Sequence, residues 1–331
     1  FTAWAKNEDN SLNSFRLEGG SKMVLGNGLT ENSPRTISGA VTLVQATDEN
    51  PVRIYGSAFG PVQLNTSIGL AEGETSGVLE FAEGEQFNST YACNHAVLVG
   101  GVISGNIAVR VSEQANGVTF SGANTYTGGT EITEGAALTI SNRAGVGTSG
   151  TITGAGTLKV TGAYSGNTNV NPLANVSGLT EAGWTGTVLL AVTGSRPQLV
   201  LNTYGHAGSV IELNGAQGWI PGGTVVAAPV RLTGNGLQLT NGSSSALTQV
   251  TFSKVEGDGS LLGPSGNAWV YALLLQDVSA FTGNMDFTAG GQGGAFAVLI
   301  GSAFPSDYAH NAYKTHLTIL ADGTASIAQG K

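Results

Sequence analysis

The chain has 331 residues, of which 40% are hydrophobic and 11% are charged, and its formal net charge is −9. Disordered chains are usually highly charged and poor in apolar residues, so this composition predicts a folded protein. The acidic balance leaves no basic stripe for phosphate contacts, which argues against nucleic acid and anionic membrane surfaces as partners.

Glycine and cysteine usage narrow the fold class. The 51 glycines are roughly twice the usual share of about 7%, and glycine favours sharp corners over helices. The single cysteine, Cys93, cannot form an internal disulfide and is expected to be a small buried residue. The longest apolar runs, 269–275 and 295–300, are far shorter than the ~20 residues of a membrane-spanning helix. Since the chain begins at Phe1 without a methionine or an apolar signal segment, we expect a processed or excised piece.

The first part of the chain differs from the rest. Residues 1–35 are polar and rich in asparagine, which is typical of an N-terminal cap or an irregular first coil of a solenoid. Residues 36–331 predict one β-solenoid domain, because short alternating runs recur with glycine at the same place, as in 37–43 and 103–109. Residues 44–100 are less regular and acidic. They are either a projecting loop or subdomain, or coils that have diverged from the repeat.

The clearest repeat unit is residues 120–142. Three short β-type runs there are separated by corners rich in glycine or asparagine, which predicts one coil of a winding β-structure. The unit resembles the passenger-associated transport repeat, or autotransporter-associated β-strand repeat, of bacterial secreted proteins. The residues that carry the resemblance are Ser121-Gly122-Ala123-Asn124-Thr125-Tyr126-Thr127-Gly128-Gly129-Thr130, Ile132, Gly135 and Ala137-Leu138-Thr139-Ile140-Ser141-Asn142.

The resemblance implies a secreted or cell-surface passenger domain. The expected fold class is all-β, a right-handed parallel β-helix (β-solenoid) with irregular loops and an N-terminal cap. In that family a C-terminal β-barrel translocator, part of the full-length protein, carries the passenger out of the cell. The expected location is therefore outside a bacterial cell or on its surface.

Two short motifs recur along the chain. A glycine motif occupies 152–158, 232–237 and 255–261. An aromatic residue followed by Thr or Ser and then Gly occurs four times, and its aromatic and glycine positions are Tyr126 with Gly128 and Gly129, Tyr164 with Gly166, Trp184 with Gly186, and Phe281 with Gly283. Their spacing predicts coils of about 19 to 20 residues. One coil buries too little apolar surface to be stable alone, so coils must stack through parallel hydrogen bonds.

The last third of the chain holds the most apolar strands. They are 188–192, 199–201, 210–213, 269–275 and 296–300. Runs this apolar are typical of strands that are buried on both faces. We therefore expect a loop or a partner to pack over the solenoid there.

The sequence offers little catalytic chemistry, and we predict no catalytic residue, metal site or cofactor. The closest histidine pair, His310 and His316, has no Cys or Glu at ligand spacing. An enzyme of this fold would be a glycosidase or polysaccharide lyase, with paired carboxylates on adjacent coils. Asp258, Asp277 and Asp286 are the candidates, although acids spread along a solenoid are more often simply solvated.

Exposed aromatic rings are the candidates for ligand binding, because their flat faces stack on sugar rings. We select Trp219 and Tyr204, whereas Trp184 is expected in the core because its motif recurs. We predict a structural, non-enzymatic adhesin, fibre or self-associating scaffold, with host or extracellular glycans or proteins, or further copies of the chain, as partners. The alternative is a β-helix enzyme acting on extracellular polysaccharide, which a cleft with paired carboxylates would favour.

Overall fold

The computed structural model describes residues 2–5, 10–11, 14–27, 35–58, 60–83, 86–88, 91–93, 95–112, 117–148, 150–164, 170–194, 197–240, 248–263, 266–267, 271–286, 290–291, 296–301 and 317–321. Two compact units divide the chain. Unit 1 is Phe1–Lys159 with Leu173–Gly186, and unit 2 is Val160–Pro172 with Thr187–Lys331. Among the described residues every regular element is a β-strand, apart from a 3₁₀ turn at Leu201–Thr203.

Unit 1 is built from short strands. They are β1 Thr2–Ala5, β2 Asn10–Ser11, β3 Phe15–Glu18, β4 Lys22–Asn27, β5 Arg35–Val44, β6 Val52–Tyr55, β7 Val62–Leu70, β8 Gly77–Ala82, β9 Gln86–Asn88, β10 Tyr91–Ala92, β11 Val97–Val99, β12 Ser104–Gly105, β13 Ile107–Val111, β14 Val118–Phe120, β15 Thr125–Tyr126, β16 Thr130–Ile132, β17 Ala137–Ile140 and β18 Ile152–Gly154. Strand β19, Thr157–Ala163, contains the boundary between the two units.

Two stacked parallel sheets organise unit 1. Sheet A has the order β1-β4-β6-β8-β13-β16-β18, and sheet B includes, in this order, β2-β5-β7-β11-β14-β17. Strands that are neighbours in a sheet come from successive coils. Among the described pairs only β9 with β10 is antiparallel. This confirms the predicted all-β parallel solenoid, while its right-handed sense and its N-terminal cap stay predictions.

Unit 2 repeats the pattern. Its strands are β20 Thr187–Thr193, β21 Val210–Gly218, β22 Thr224–Val226, β23 Val230–Leu239, β24 Thr248–Phe252, β25 Val255–Gly257, β26 Leu261–Leu262, β27 Gly266–Asn267, β28 Tyr271–Leu275, β29 Met285–Asp286, β30 Gly290–Gly291, β31 Phe296–Ile300 and β32 Leu317–Ala321. One sheet runs β20-β21-β23-β26-β29, with β25 also on β23, and a second runs β22-β24-β28-β31-β32.

The core of unit 1 consists of side chains stacked in columns, one from each coil. Sheet A contributes the buried column Met23, Ile54, Phe81, Val111 and Ile132. Sheet B contributes Ile37, Leu64, Val99, Phe120 and Ile140. The rings of Phe81 and Phe120 meet edge to face with centroids 5.5 Å apart, which joins the two columns. Each such side chain stabilises the fold by about 1.5–3 kcal/mol relative to exposure.

The coils differ in length, which corrects the predicted 19 to 20 residues. Phe120 pairs with Val99 and Ile140, so these coils are 21 and 20 residues long (120 − 99 and 140 − 120). Leu64, however, pairs with Ile37 and Val99, which gives coils of 27 and 35 residues (64 − 37 and 99 − 64). The strands keep register because the additional residues lie in the loops between them.

A small apolar cluster outside the solenoid core joins Val24 to residues of the irregular region 44–100. Strands β6 and β8 there pair in register with the neighbouring coils of sheet A, so the region contains true coils. The antiparallel β9–β10 hairpin leads into Cys93, which is fully buried against Val24, Tyr55 and Ala82. These three residues lie in consecutive strands of sheet A. The predicted burial of Cys93 is confirmed.

Strands β28 and β31 in the second sheet of unit 2 are buried on both faces. Leu273 and Val298 pair in register, and so do their neighbours Leu274 and Leu299. Successive residues of a strand point to opposite faces, and all four side chains are at most 5% exposed. The predicted two-faced burial is therefore confirmed in these strands. At the β22 end of the same row Val225 is 58% exposed.

Candidate functional site

The two recurring motifs of the sequence meet in one contact between successive coils. In three places an aromatic residue pairs with a glycine on the preceding coil: Tyr126 with Gly105, Trp184 with Gly154, and Phe281 with Gly257. The threonine after each aromatic donates its backbone N–H to the carbonyl oxygen of that glycine, at 3.0 Å for Thr127 and 2.8 Å for both Thr185 and Thr282. The three glycines have φ values of 91°, 108° and 96°, which other residues rarely adopt.

The glycine after each threonine is required for a different reason. A methyl group on Gly186 would overlap the carbonyl oxygen of Gly156, and one on Gly283 would overlap that of Gly259. Gly128 lies as close to the backbone of the preceding coil at Ile107. A side chain at these positions would hold the coils apart. The motif residues therefore stack coils on one another.

Two of the three aromatic residues, Tyr126 and Trp184, are fully buried, whereas Phe281 is half-buried. The ring of Tyr126 is 0% exposed, and its hydroxyl lies 2.6 Å from the hydroxyl of Thr130. Burial raises the pKa of the Tyr126 hydroxyl far above its ordinary value. The phenol is therefore a neutral structural group.

The fourth aromatic motif has a different place in the fold. Tyr164 follows β19 and donates its backbone N–H to the carbonyl oxygen of Thr193 at 2.6 Å. Trp184, 20 residues later (184 − 164), pairs instead with Gly154, so the two aromatics do not follow one another in a stack. Gly166 lies outside the described residues.

The aromatic residues selected for ligand binding are both buried. Tyr204 is 0% exposed, and its hydroxyl donates to Oδ1 of Asn171 at 2.5 Å. Trp219 is 8% exposed, and its backbone pairs with Gln198. Neither ring offers a flat face to a sugar, so we place no ligand at either residue.

The candidate acids Asp258, Asp277 and Asp286 all belong to unit 2. Asp258 is exposed, whereas Asp277 and Asp286 are half-buried. Hydrogen bonds from Ser279 lower the pKa of Asp277, and its Oδ1 accepts the Ser279 N–H at 2.9 Å. In the described part of the chain no three His, Cys, Asp or Glu side chains come together in a metal-binding group. His310 and His316 lie outside it.

The charged residues of unit 1 form a ladder across the outer face of sheet A. Arg53, Glu80, Arg110 and Glu131 pair in register on four consecutive strands. Arg53 Nε donates to Glu80 Oε2 at 2.8 Å, and Arg110 Nε donates to Glu131 Oε2 at 2.7 Å. Ser112 Oγ donates to the second Glu80 oxygen at 2.7 Å. Alternating signs stabilise neighbouring strands, as cross-strand pairs do.

An open groove of about 380 Å³ lies beside this ladder. Arg110 and Glu131 form part of its wall, and Asp48 reaches it from the loop after β5. Asp48 Oδ1 accepts a hydrogen bond from Arg110 Nη2 at 3.3 Å. The hydrogen bond to Glu131 is the main reason that the pKa of Arg110 is raised. The guanidinium therefore stays fully charged between two carboxylates.

Unit 2 carries a second ladder of the same kind. Glu212, Arg231 and Glu256 pair in register on consecutive strands. Arg231 Nη2 lies 2.9 Å from Glu256 Oε1, and Lys254 Nζ lies 2.8 Å from Glu256 Oε2. The hydrogen bond from Lys254, followed by that from Arg231, lowers the pKa of Glu256. Glu256 in turn raises the pKa of Lys254, chiefly through the same hydrogen bond.

Neither ladder was identified from the sequence. In the ladder of unit 1, neighbouring members are 21 to 30 residues apart in the chain (131 − 110 and 110 − 80), so no local motif contains two of them. The available signal was weaker. Each charge stands between two buried residues of a strand, which are apolar in VRIY, LEF and VRV and are Thr130 and Ile132 in TEI, and the sign alternates from Arg53 to Glu131.

Comparison with protein-family models, curated proteins and solved structures finds no match to this chain. Within the residues that the structure describes, no helix is long and apolar enough to cross a membrane.

Proposed function

We propose that the chain is a structural, non-enzymatic module of a secreted or cell-surface bacterial protein, a β-solenoid that serves as an adhesin, fibre or self-associating scaffold. The observation that carries the proposal is the coil contact. The residues that recur most clearly, such as Tyr126 on Gly105 and Trp184 on Gly154, stack one coil on the next. Sequence repetition thus serves construction of the scaffold.

The arrangement of the charged side chains supports the same proposal. The chain has few charged residues, and several of those on the strands pair with each other within ladders, as Arg53 with Glu80 and Arg231 with Glu256. A catalytic pair needs carboxylates held apart with distinct pKa values. Hydrogen bonds from Ser279 lower the pKa of Asp277, whereas the general acid of such a pair needs a raised pKa. The resemblance of residues 120–142 to the passenger-associated transport repeat supports the exported location.

Electron microscopy of the purified chain over a range of concentrations tests the scaffold. Filaments that lengthen with concentration would make self-assembly the primary function. Particles of one size at every concentration would exclude the fibre and leave the adhesin. A glycan array on the same sample then reports binding. An absence of both filaments and binding to glycans or extracellular matrix proteins would overturn the proposal.

The enzyme alternative requires its own measurement. The chain is incubated with a panel of polysaccharides, and new reducing ends and unsaturated products are measured. We expect neither. A triple variant carrying Asp258→Asn, Asp277→Asn and Asp286→Asn is the matched control, and cleavage that disappears in this variant would establish the alternative.

A further inference from the structure

The groove beside Arg110 lies where the charged ladder of sheet A meets the loop after β5. One wall of the groove is the loop after β5, which begins at Gln45 with a φ of 46°. Two hydrogen bonds of 3.2 Å close the loop between Thr47 and Asn50. The carbonyl oxygen of Ala46 accepts the N–H of Val78 at 3.2 Å, which fixes the loop against sheet A. The loop therefore holds Asp48 over the groove.

The polar groups of the groove offer donors and acceptors side by side. The guanidinium of Arg110 has five N–H groups, and Nε and Nη2 each use one on Glu131 and Asp48. The remaining N–H groups are donors, and the two carboxylates retain acceptor capacity because their side chains are 80% and 45% exposed. A hydroxyl group both donates and accepts, so it matches this arrangement. Two carboxylates disfavour an anion, and the guanidinium disfavours a cation.

The rest of the lining also suits a sugar. Thr127 and Thr153 contribute exposed side chains with hydroxyl groups, and Val78 and Ala108 contribute an apolar surface for C–H groups. The volume of about 380 Å³ is at the small end of the range for ligand sites. One or two sugar rings would occupy it.

We propose that this groove binds a neutral mono- or disaccharide through vicinal hydroxyl groups, which are held by Asp48, Arg110 and Glu131. The inference rests on the proposed adhesin function and gives it a site and a ligand class. The groove has no aromatic ring for stacking, so each contact is modest. The expected dissociation constant is about 5 mM.

Saturation-transfer NMR and titration of the whole chain with a panel of neutral mono- and disaccharides test the site. Asp48→Ala removes one pair of acceptors and should weaken binding about tenfold, the usual effect of losing a hydrogen bond to a charged group. Thr153→Val is the second variant, because an exposed methyl in place of the hydroxyl preserves the fold. It should weaken binding about threefold. Glu256→Gln in unit 2 is the matched control and should bind as the wild type does.

The outcomes separate the site from the function. If Asp48→Ala and Thr153→Val are folded by circular dichroism and bind glycans with unchanged dissociation constants, the groove is not the binding site. The proposed adhesin function would not be affected by that result. No binding of any neutral saccharide at about 50 mM, tenfold above the expected constant, would also overturn the groove. The proposed function fails separately, when the array and the microscopy are both negative.

Discussion

Gly186 allows two coils to approach as closely as their backbones permit. A methyl group at this position would overlap the carbonyl oxygen of Gly156 and press on the ring of Trp184. Overpacking of this kind usually costs 1–3 kcal/mol, and both of these neighbours are held by the core. The glycine is thus a steric requirement of coil stacking.

We predict that Gly186→Ala lowers the free energy of unfolding by about 3 kcal/mol. Gly135→Ala is the control, because its φ of 80° is strained for alanine but no atom lies within 4 Å of the added methyl. That control should lose about 1 kcal/mol. Urea unfolding followed by circular dichroism measures both. Equal losses in the two variants would show that steric overlap is not the cause.

Asn124 lies in a corner of the repeat unit 120–142, and its buried side chain connects three coils. Its side chain is 0% exposed; Oδ1 accepts the Ile103 N–H at 2.8 Å, and Nδ2 donates to the Gly145 carbonyl oxygen at 2.6 Å. The amide has a separate acceptor oxygen and donor nitrogen, so it satisfies an N–H on one side and a carbonyl oxygen on the other. This explains an asparagine in the core.

Asn124→Ala should lower the free energy of unfolding by about 3 kcal/mol, because a buried N–H and a buried carbonyl lose their partner. Asn106→Ala is the matched control. Its exposed Nδ2 donates to the Thr75 carbonyl oxygen at 3.1 Å, and water can replace that bond. We expect a loss below about 0.5 kcal/mol for the control. A shift of the thermal midpoint as small as that of the control would contradict the role of Asn124.

At the scale of elements, the ladder of unit 2 makes stability depend on pH. The folded-state pKa of Glu256 lies below its ordinary value of 4.5. Its contribution to the free energy of unfolding is therefore present above the ordinary value and is lost as the pH falls through the folded pKa. Salt screens the exposed part of this interaction.

We predict that the free energy of unfolding decreases as the pH falls below about 4.5 and that Glu256→Gln makes this decrease smaller. Lys254→Met, which removes the first partner, should reduce the slope in part. The double variant should show nearly the same slope as Glu256→Gln alone, since Lys254 acts mainly through Glu256 and only secondarily through Asp277. Denaturant unfolding at a series of pH values measures the slopes, and identical slopes in wild type and Glu256→Gln would refute the prediction.

The strands of this fold are organised by coils, and the spacing of local motifs does not give the length of a coil. The spacing of aromatic motifs predicted coils of constant length, yet the described coils reach 35 residues between Leu64 and Val99 (99 − 64). A strand has to keep register with its neighbour, whereas the loop that returns to it may lengthen at a small entropic cost. Motif spacing was a poor measure of coil length for this reason.

At the scale of the whole molecule, each coil contacts mainly its neighbours in the parallel ladders. Stability in such a chain is the sum of coil terms and nearest-neighbour terms. A substitution that destabilises one coil should therefore lower protection against amide hydrogen exchange mainly in that coil and its neighbours. Asn124 and its partners Ile103 and Gly145 all belong to unit 1.

We predict that Asn124→Ala accelerates amide hydrogen exchange in Val118–Phe120, Thr125–Tyr126 and Ala137–Ile140, strands of the coils next to it. Exchange in Val210–Gly218 and Val230–Leu239 of unit 2 should stay at the wild-type rate. Mass spectrometry of peptic fragments measures both sets. Faster exchange throughout the chain would mean that the two units unfold as one.

The sequence by itself determined the fold class. Abundant glycine, alternation in short runs and a repeated corner leave stacked parallel coils as the way to bury the apolar residues, and the burial of Trp184 followed from its recurring motif. These properties are local or compositional, so they can be read without a neighbouring coil.

Tertiary structure alone decided which residues are neighbours. Trp219 lies in a segment rich in turn-forming residues, yet its ring is buried, because the fold directs a side chain inward or outward independently of such local composition. Arg110 meets Asp48, which is 62 residues away, and Glu131, which is 21 residues away. Register between coils sets those distances. A candidate site made of residues from separate coils therefore exists only once the coils are stacked.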